Sequence, residues 1–225
     1  MLRYDSSPSL ALNRYRKSRF GLRRRVHPLI RQAIGSAVNM GFVRWPRRVA
    51  RLVDLGGRDI LDVGCGTTLH SIGFLTAGAK AYTGLDPTLD LDVKAFKSKV
   101  THQIETTPFS LRELTSTEPR IAYWMGTTED LLAAGKRFDV ATLHNVTEHV
   151  DGLNGLLETL TSLLKPGGHL FFRESCFHQS GNAKRRFNPT KYRHPDDYSK
   201  MFGDAALDDG SRFQLCATNC VEAYA

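Results

Sequence analysis

Residues 60–69 read ILDVGCGTTL, a short apolar run holding one acid and ending on two glycines one residue apart. Four of the first five residues suit a strand covered on both faces. A Gly-x-Gly turn directly after a strand lets the backbone approach a ligand with no Cβ in the way. In an open parallel sheet, ligands sit at the carboxyl ends of the strands, where this turn would lie. Alone, a glycine pair serves equally well as a plain tight turn. Its meaning rests on the chain around it.

Outward from this stretch, strands and helices alternate. Strands are expected at 59–63 (DILDV), 80–85 (KAYTGL), 120–124 (RIAYW), 138–144 (FDVATLH) and 169–175 (HLFFRES). Helices are expected at 68–77, over TTEDLLAAG, and at 150–164, the last stopped by Lys165-Pro166-Gly167-Gly168. Residues 88–119 are mixed and polar, with weak helical stretches at 91–99 and 109–115. RFQLCA and CVEAYA read as a final antiparallel pair around Thr218-Asn219. This order predicts a doubly wound α/β sheet. Before it, Leu29, Ile30, Ala33, Ile34, Ala37 and Val38 recur at helical spacing, and Trp45-Pro46 divides a first helix from a second that runs to Gly56-Gly57. The expected division is therefore a basic tail and helical extension over 1–55 and an α/β domain over 56–225.

The chain has 225 residues and a net charge of +8. Residues 1–60 carry 14 Lys/Arg against 3 Asp/Glu, and residues 61–225 carry 17 against 20. The basic segment RYRKSRFGLRRR (14–25) is open to three readings: a solvated flank, an RNA-binding arm with Tyr15 or Phe20 stacking on bases, or an organellar transit segment. No run of about 18 apolar residues exists, so no spanning helix is expected. Cys65, Cys176, Cys216 and Cys220 form no C-x-x-C pair, which points to reduced thiols and a cytoplasmic compartment.

Asp86 ends the second strand, 20 residues after Gly66. An acid there can accept hydrogen bonds from both hydroxyls of a ribose. A dinucleotide enzyme would use it too, but that fingerprint wants a third glycine where this chain has Thr-Thr-Leu. Asp62, two residues before Gly64, suits a cation such as an α-amino group, reached directly or through water.

LDVGCGT followed by GLDP resembles the first two motifs of the class I S-adenosylmethionine-dependent methyltransferases. MGTTEDL (125–131), FDVATLHNVTEHV (138–150) and LLKPGGHLFF (163–172) are similar to that family's third, fourth and fifth strand motifs, in order and correctly spaced over about 57–175. Within the family the chain resembles the small-molecule type 11/12 group. The resemblance implies a Rossmann-like seven-stranded sheet with an antiparallel last strand, and S-adenosylmethionine as cofactor. It implies that Asp62, Gly64, Cys65 and Gly66 shape the pocket for the methionine moiety. Asp86 and Pro87 would hold the ribose, Thr127 and Thr128 would lie near the adenine, and His144 near the cofactor's amino-acid end. Thr68 and Thr127 depart from a frequent glycine and a frequent aspartate.

The reaction so implied is in-line methyl transfer to an oxygen or nitrogen of a small molecule, with alignment supplying most of the rate. His149 and Glu148 follow the fourth strand; His149 reads as a base or acceptor contact, or as part of a helix start. A metal-assisted variant would place a divalent ion among Asn145, Glu148, His149 and His178 or His194; no metal is expected, since Asn145 is a weak neutral ligand. Lys184, Arg185, Arg186 and Arg193 suit an anionic acceptor or a solvated loop. His70 reads as an exposed helix position, with a pocket position as the alternative, and Trp45 and Trp124 as core or lid residues. The alternative functions are an RNA methyltransferase tethered by its basic N-terminus, and a regulatory protein on the same scaffold with a weak cofactor site.

Overall fold

A computed structural model describes residues 44–100 and 103–173. The expected helix before residue 44, residues 176–200, which read as a polar, basic insertion, and the final antiparallel pair lie outside these residues. Strand β1 (Asp59–Val63) is central and pairs in parallel with β2 (Ala81–Asp86) and β6 (Phe138–His144). β2 pairs with β5 (Ile121–Met125) and β6 with β7 (Leu164–Arg173), giving the order β5-β2-β1-β6-β7. The chain winds outward from β1 in one direction, then restarts at β6 on the other side. The switch point is the crevice between β1 and β6.

Alternation along the strands explains why both faces are covered. Ile60, Tyr82 and Val140 face a core built by α1 (Arg44–Leu52), α2 (His70–Ala77) and α3 (Leu111–Thr117) through Val49, Ile72, Phe74 and Leu114. Leu61, Leu85, Ala141 and Leu143 face the other way, onto α4 (Thr128–Ala133) and α5 (Leu153–Leu163) through Leu131, Leu157 and Leu160. Adjacent residues of one strand thus enter opposite cores.

Two expectations are corrected. Residues 91–99 are not helical: β3 (Lys94–Val100) pairs antiparallel with β4 (Gln103–Ser110) as a separate ribbon. Within β3, Phe96-Lys97-Ser98-Lys99-Val100 sets its lysines at alternate positions, a strand pattern. Also, Lys165–Gly168 does not simply precede the fifth strand. β7 already begins at Leu164, and the register runs from Phe138↔Leu164 to Val140↔His169, so Lys165–Gly168 bulges out of the ladder, with Gly167 at φ +72°. The bulge swings the Lys165 ammonium to 2.9 Å from the carboxylates of both Asp59 and Asp139.

Candidate functional site

All five sheet strands run the same way, so the turns after β1, β2, β5 and β6 open on one edge. Gly64 (φ +64°) and Gly66 (φ +51°) cross that edge in a conformation that excludes most side chains. Their surroundings differ. A Cβ at Gly64 would lie 2.4 Å from Val146 Cγ2, while one at Gly66 would meet nothing within 4 Å. Gly64 is a packing glycine; Gly66 leaves an open cradle. The loop is tied to β2: Gly64 N–H donates to Leu85 O (2.7 Å), and Gly66 N–H to Asp86 Oδ2 (3.1 Å). Thr68 pins it further, its hydroxyl donating to Cys65 O at 2.9 Å. The Cys65 thiol is buried, and burial with the charges of Asp62 and Asp86 pushes its pKa well up. Only its backbone is available to a ligand.

Asp86 stands half-buried beside the cradle. Its Oδ1 accepts from the backbone N–H (2.9 Å) and the hydroxyl (2.8 Å) of Thr88. A carboxylate offers about four acceptor sites, so one remains and a sugar hydroxyl can replace that of Thr88. Pro87 beside it is exposed. At the end of β5, Thr127 caps α4: its hydroxyl accepts from Asp130 N–H and donates to Asp130 Oδ2, which also takes Thr127 N–H at 2.8 Å. The helix start therefore already uses the Thr127 hydroxyl. Thr128 is buried and bonds Glu129 at 3.0 Å.

Asp62 does not lie open to a cation. It is 1% exposed, and its Oδ1 accepts from the Thr142 hydroxyl (2.7 Å). Its Oδ2 accepts from the Tyr82 hydroxyl (2.8 Å) and meets His70 Nδ1 at 3.0 Å. Burial pushes this carboxyl up, but His70 and the hydroxyl donors outweigh it and hold the group below its usual range. Nor is His70 an exposed helix residue: only 6% of it is exposed. α2 begins right after the glycine loop, which turns its first side chain back onto the strand just left. Tyr82 and Thr142 escaped the sequence reading, although in the ladder Thr142 stands directly opposite Asp62.

His144 ends β6 and joins the same cluster. Its ring stacks on Trp45 of α1 (centroids 5.6 Å, interplanar angle 12°) and tilts against His70 (5.3 Å, 55°), while Nε2 accepts from the Arg173 guanidinium. Burial first, then His70 and Arg173, lower its pKa to about 4, so the ring is neutral at pH 7. The indole Nε1 of Trp45 is buried with no hydrogen-bond partner among the described residues. Asn145 follows at φ +57°, then a single 3-10 turn, Thr147–His149, in which His149 is exposed and donates its N–H to Val146 O (2.9 Å). Among the described residues no three His, Cys, Asp or Glu side chains gather as a metal site; His178 and His194 lie outside them.

An open glycine cradle beside the β1–β6 switch point and a carboxylate at the end of the neighbouring strand β2 mark the place where an α/β domain of this topology takes a nucleoside. The chain belongs to the methyltransferase domain family, whose model matches residues 40–209. It is 29% identical over 187 residues to phosphoethanolamine N-methyltransferase 1 of Zea mays, covering 80% of this chain and 34% of that protein. Over 73 residues it is 51% identical to a phosphoethanolamine N-methyltransferase of Triticum aestivum, 31% of this chain and 14% of the relative. The chain thus spans about a third or less of these curated relatives. Phosphoethanolamine N-methyltransferase 1 of Haemonchus contortus, solved with phosphoethanolamine and S-adenosylhomocysteine, shares the fold (TM-score 0.51, 17% identity, 93% of this chain and 44% of that one). So does the [4+2]-cyclase SpnF (TM-score 0.52, 18% identity, 71% and 54%).

Proposed function

We propose that this chain transfers a methyl group from S-adenosylmethionine to the nitrogen of a small phosphorylated amine of the phosphoethanolamine kind. The observation that carries the cofactor is the Gly66 cradle beside Asp86, where backbone can approach a nucleoside and a carboxylate can take its hydroxyls. The acceptor rests on the relatives: the curated proteins of wheat and maize that resemble this chain are named for phosphoethanolamine.

When bound, the cofactor supplies a methyl group already activated on a positive sulfur. Gly64 and Gly66 would seat its methionine moiety and Asp86 its ribose. Thr127 and Thr128 border the adenine side, with the Thr127 hydroxyl shared with the helix cap. His144 and Trp45 wall the amino-acid end and keep water from it. An amine is protonated at neutral pH and must lose a proton before its nitrogen can attack. His149, exposed on the turn after β6, would take that proton. The acceptor's phosphate would meet the basic insertion that holds Lys184, Arg185, Arg186 and Arg193.

The test is incubation of the full chain with methyl-labelled S-adenosylmethionine and, in separate reactions, phosphoethanolamine, ethanolamine and total tRNA. Label in N-methylated phosphoethanolamine and little in ethanolamine supports the reading. Label in tRNA alone would replace it with the RNA alternative, and none anywhere would favour a regulatory role on this scaffold.

A further inference from the structure

The first turn of α1 holds a donor that the fold leaves unused. Trp45 is 7% exposed, and its indole Nε1–H is buried and meets no acceptor among the described residues. Such a nitrogen can only donate, and a buried donor without an acceptor is disfavoured. Packing does not explain it. The ring lies flat against His144, the last residue of β6 (centroids 5.6 Å, interplanar angle 12°), and a phenyl ring would stack there as well with nothing left unpaired. What the indole adds is the N–H, held beside the carboxyl edge where ligands of this topology sit.

The charges around the same stack favour an anionic oxygen. α1 carries Arg44, Arg47, Arg48 and Arg51 and no acid. Burial does most to keep a proton off His144, and His70, Arg173 and Arg48 add to it, while Asp62 opposes them. The two arginines are charged at any working pH, and Arg173 also donates to His144 Nε2. Asp62 spends its oxygens on Thr142, Tyr82 and His70. We infer that the Trp45 indole N–H donates to the α-carboxylate at the cofactor's amino-acid end, so that α1 is part of the cofactor site. This rests on the cofactor reading above. Nε1 is closed to solvent, so the carboxylate reaches it as the ring gives way by a small shift, and the bond gained displaces no water from the nitrogen.

The test is calorimetric titration with S-adenosylhomocysteine, with its analogue lacking the α-carboxylate and, as a second anion, with phosphoethanolamine. Trp45→Phe is the main variant, because it keeps an aromatic ring against His144 and removes the N–H. The preference for S-adenosylhomocysteine over the analogue should fall about tenfold, the scale of one hydrogen bond to a charged group. Trp45→Leu, which has no ring, should lose the same preference. Asp86→Ala should weaken both nucleoside ligands equally, since each carries the ribose, and so leave the preference unchanged. An equal loss of both nucleoside ligands in Trp45→Phe would make the ring a packing element and overturn the inference. No loss of either would overturn it too, with the cofactor reading intact. Weaker binding of phosphoethanolamine alone would give the donor to the acceptor's phosphate instead, and also overturn it. Failure of the wild type to bind either nucleoside ligand would overturn both readings.

Discussion

Asp59 and Asp62 stand three residues apart in one strand and serve opposite ends of the sheet. Asp59, at the amino end, keeps 23% of its side chain exposed and meets Lys165 at 2.9 Å and Lys80 at 3.5 Å. Asp62, near the carboxyl end, is 1% exposed and holds three side-chain donors, one of them His70. Both are aspartates beside basic side chains, yet only one stands at the edge where the proposed cofactor site lies. At the amino edge the partners are long cations in solvent, which clip strand entries together and can be lost cheaply. At the carboxyl edge they are short, buried and fixed by β1, β2, β6 and α2 at once, so the cluster is rigid.

This contrast can be broken first by mutation. Asp62→Ala should cost about 3–5 kcal/mol, because it strands buried donors on Tyr82, Thr142 and His70. Asp59→Ala should cost about 1 kcal/mol or less, since Lys165 keeps Asp139. Urea unfolding of both variants measures the difference, and equal costs would erase the distinction between the two edges.

Acid provides the second test. His144 has its pKa lowered to about 4, so the unfolded chain, with an ordinary histidine, binds the proton first. Its contribution is complete above about pH 6.5 and is lost as pH falls toward 4, by on the order of 2–3 kcal/mol at pH 4.5. Asp62, with its pKa depressed, adds a loss only at lower pH, as the solution falls through the ordinary carboxylate range and below. His144→Gln should flatten the upper part of this profile. An unchanged slope between pH 6.5 and 4.5 would show that the ring is not buried as described.

The two loop glycines sharpen the comparison within the carboxyl edge itself. Gly64→Ala should destabilise by about 2–3 kcal/mol, through its left-handed backbone and the contact with Val146, and Val146→Ala should recover much of that. Gly66→Ala should cost only about 1 kcal/mol of stability. It should still lower S-adenosylhomocysteine affinity by more than tenfold, because its methyl fills the cradle. The smallest effects belong to local backbone devices. Thr127→Ala should lose about 1 kcal/mol with the capping box, and Asn145→Gly, at φ +57°, should be neutral where Asn145→Val is not. Thermal unfolding distinguishes these.

The sheet was legible because its strands are apolar runs set between polar punctuation: 59–63 and 138–144 match β1 and β6, and β2 and β5 differ by one residue at each end. The β3–β4 ribbon was not, since its lysines hide a strand alternation inside a polar segment. The turn glycines Gly64 and Gly66 were legible because their left-handed backbone dictates residue type, and spacing set Asp86 at the end of β2, where the structure has it. The Asp62 cluster could not. Its members come from four elements, and only the ladder shows that Thr142 and Tyr82 close over the acid and that the first residue of α2 folds back upon it. Thr127 illustrates the converse, a residue matched to a ligand role whose hydroxyl first serves its own helix.

The central claim is that the carboxyl edge, with Gly66 and Asp86 at its centre, is a working nucleoside site. Calorimetric titration of the full chain with S-adenosylhomocysteine, beside Asp86→Ala, tests it most directly. The account predicts one-site binding by the wild type and a loss of at least tenfold in a variant that unfolds at a similar temperature. No binding by the folded wild type, or equal binding by both proteins, would contradict it.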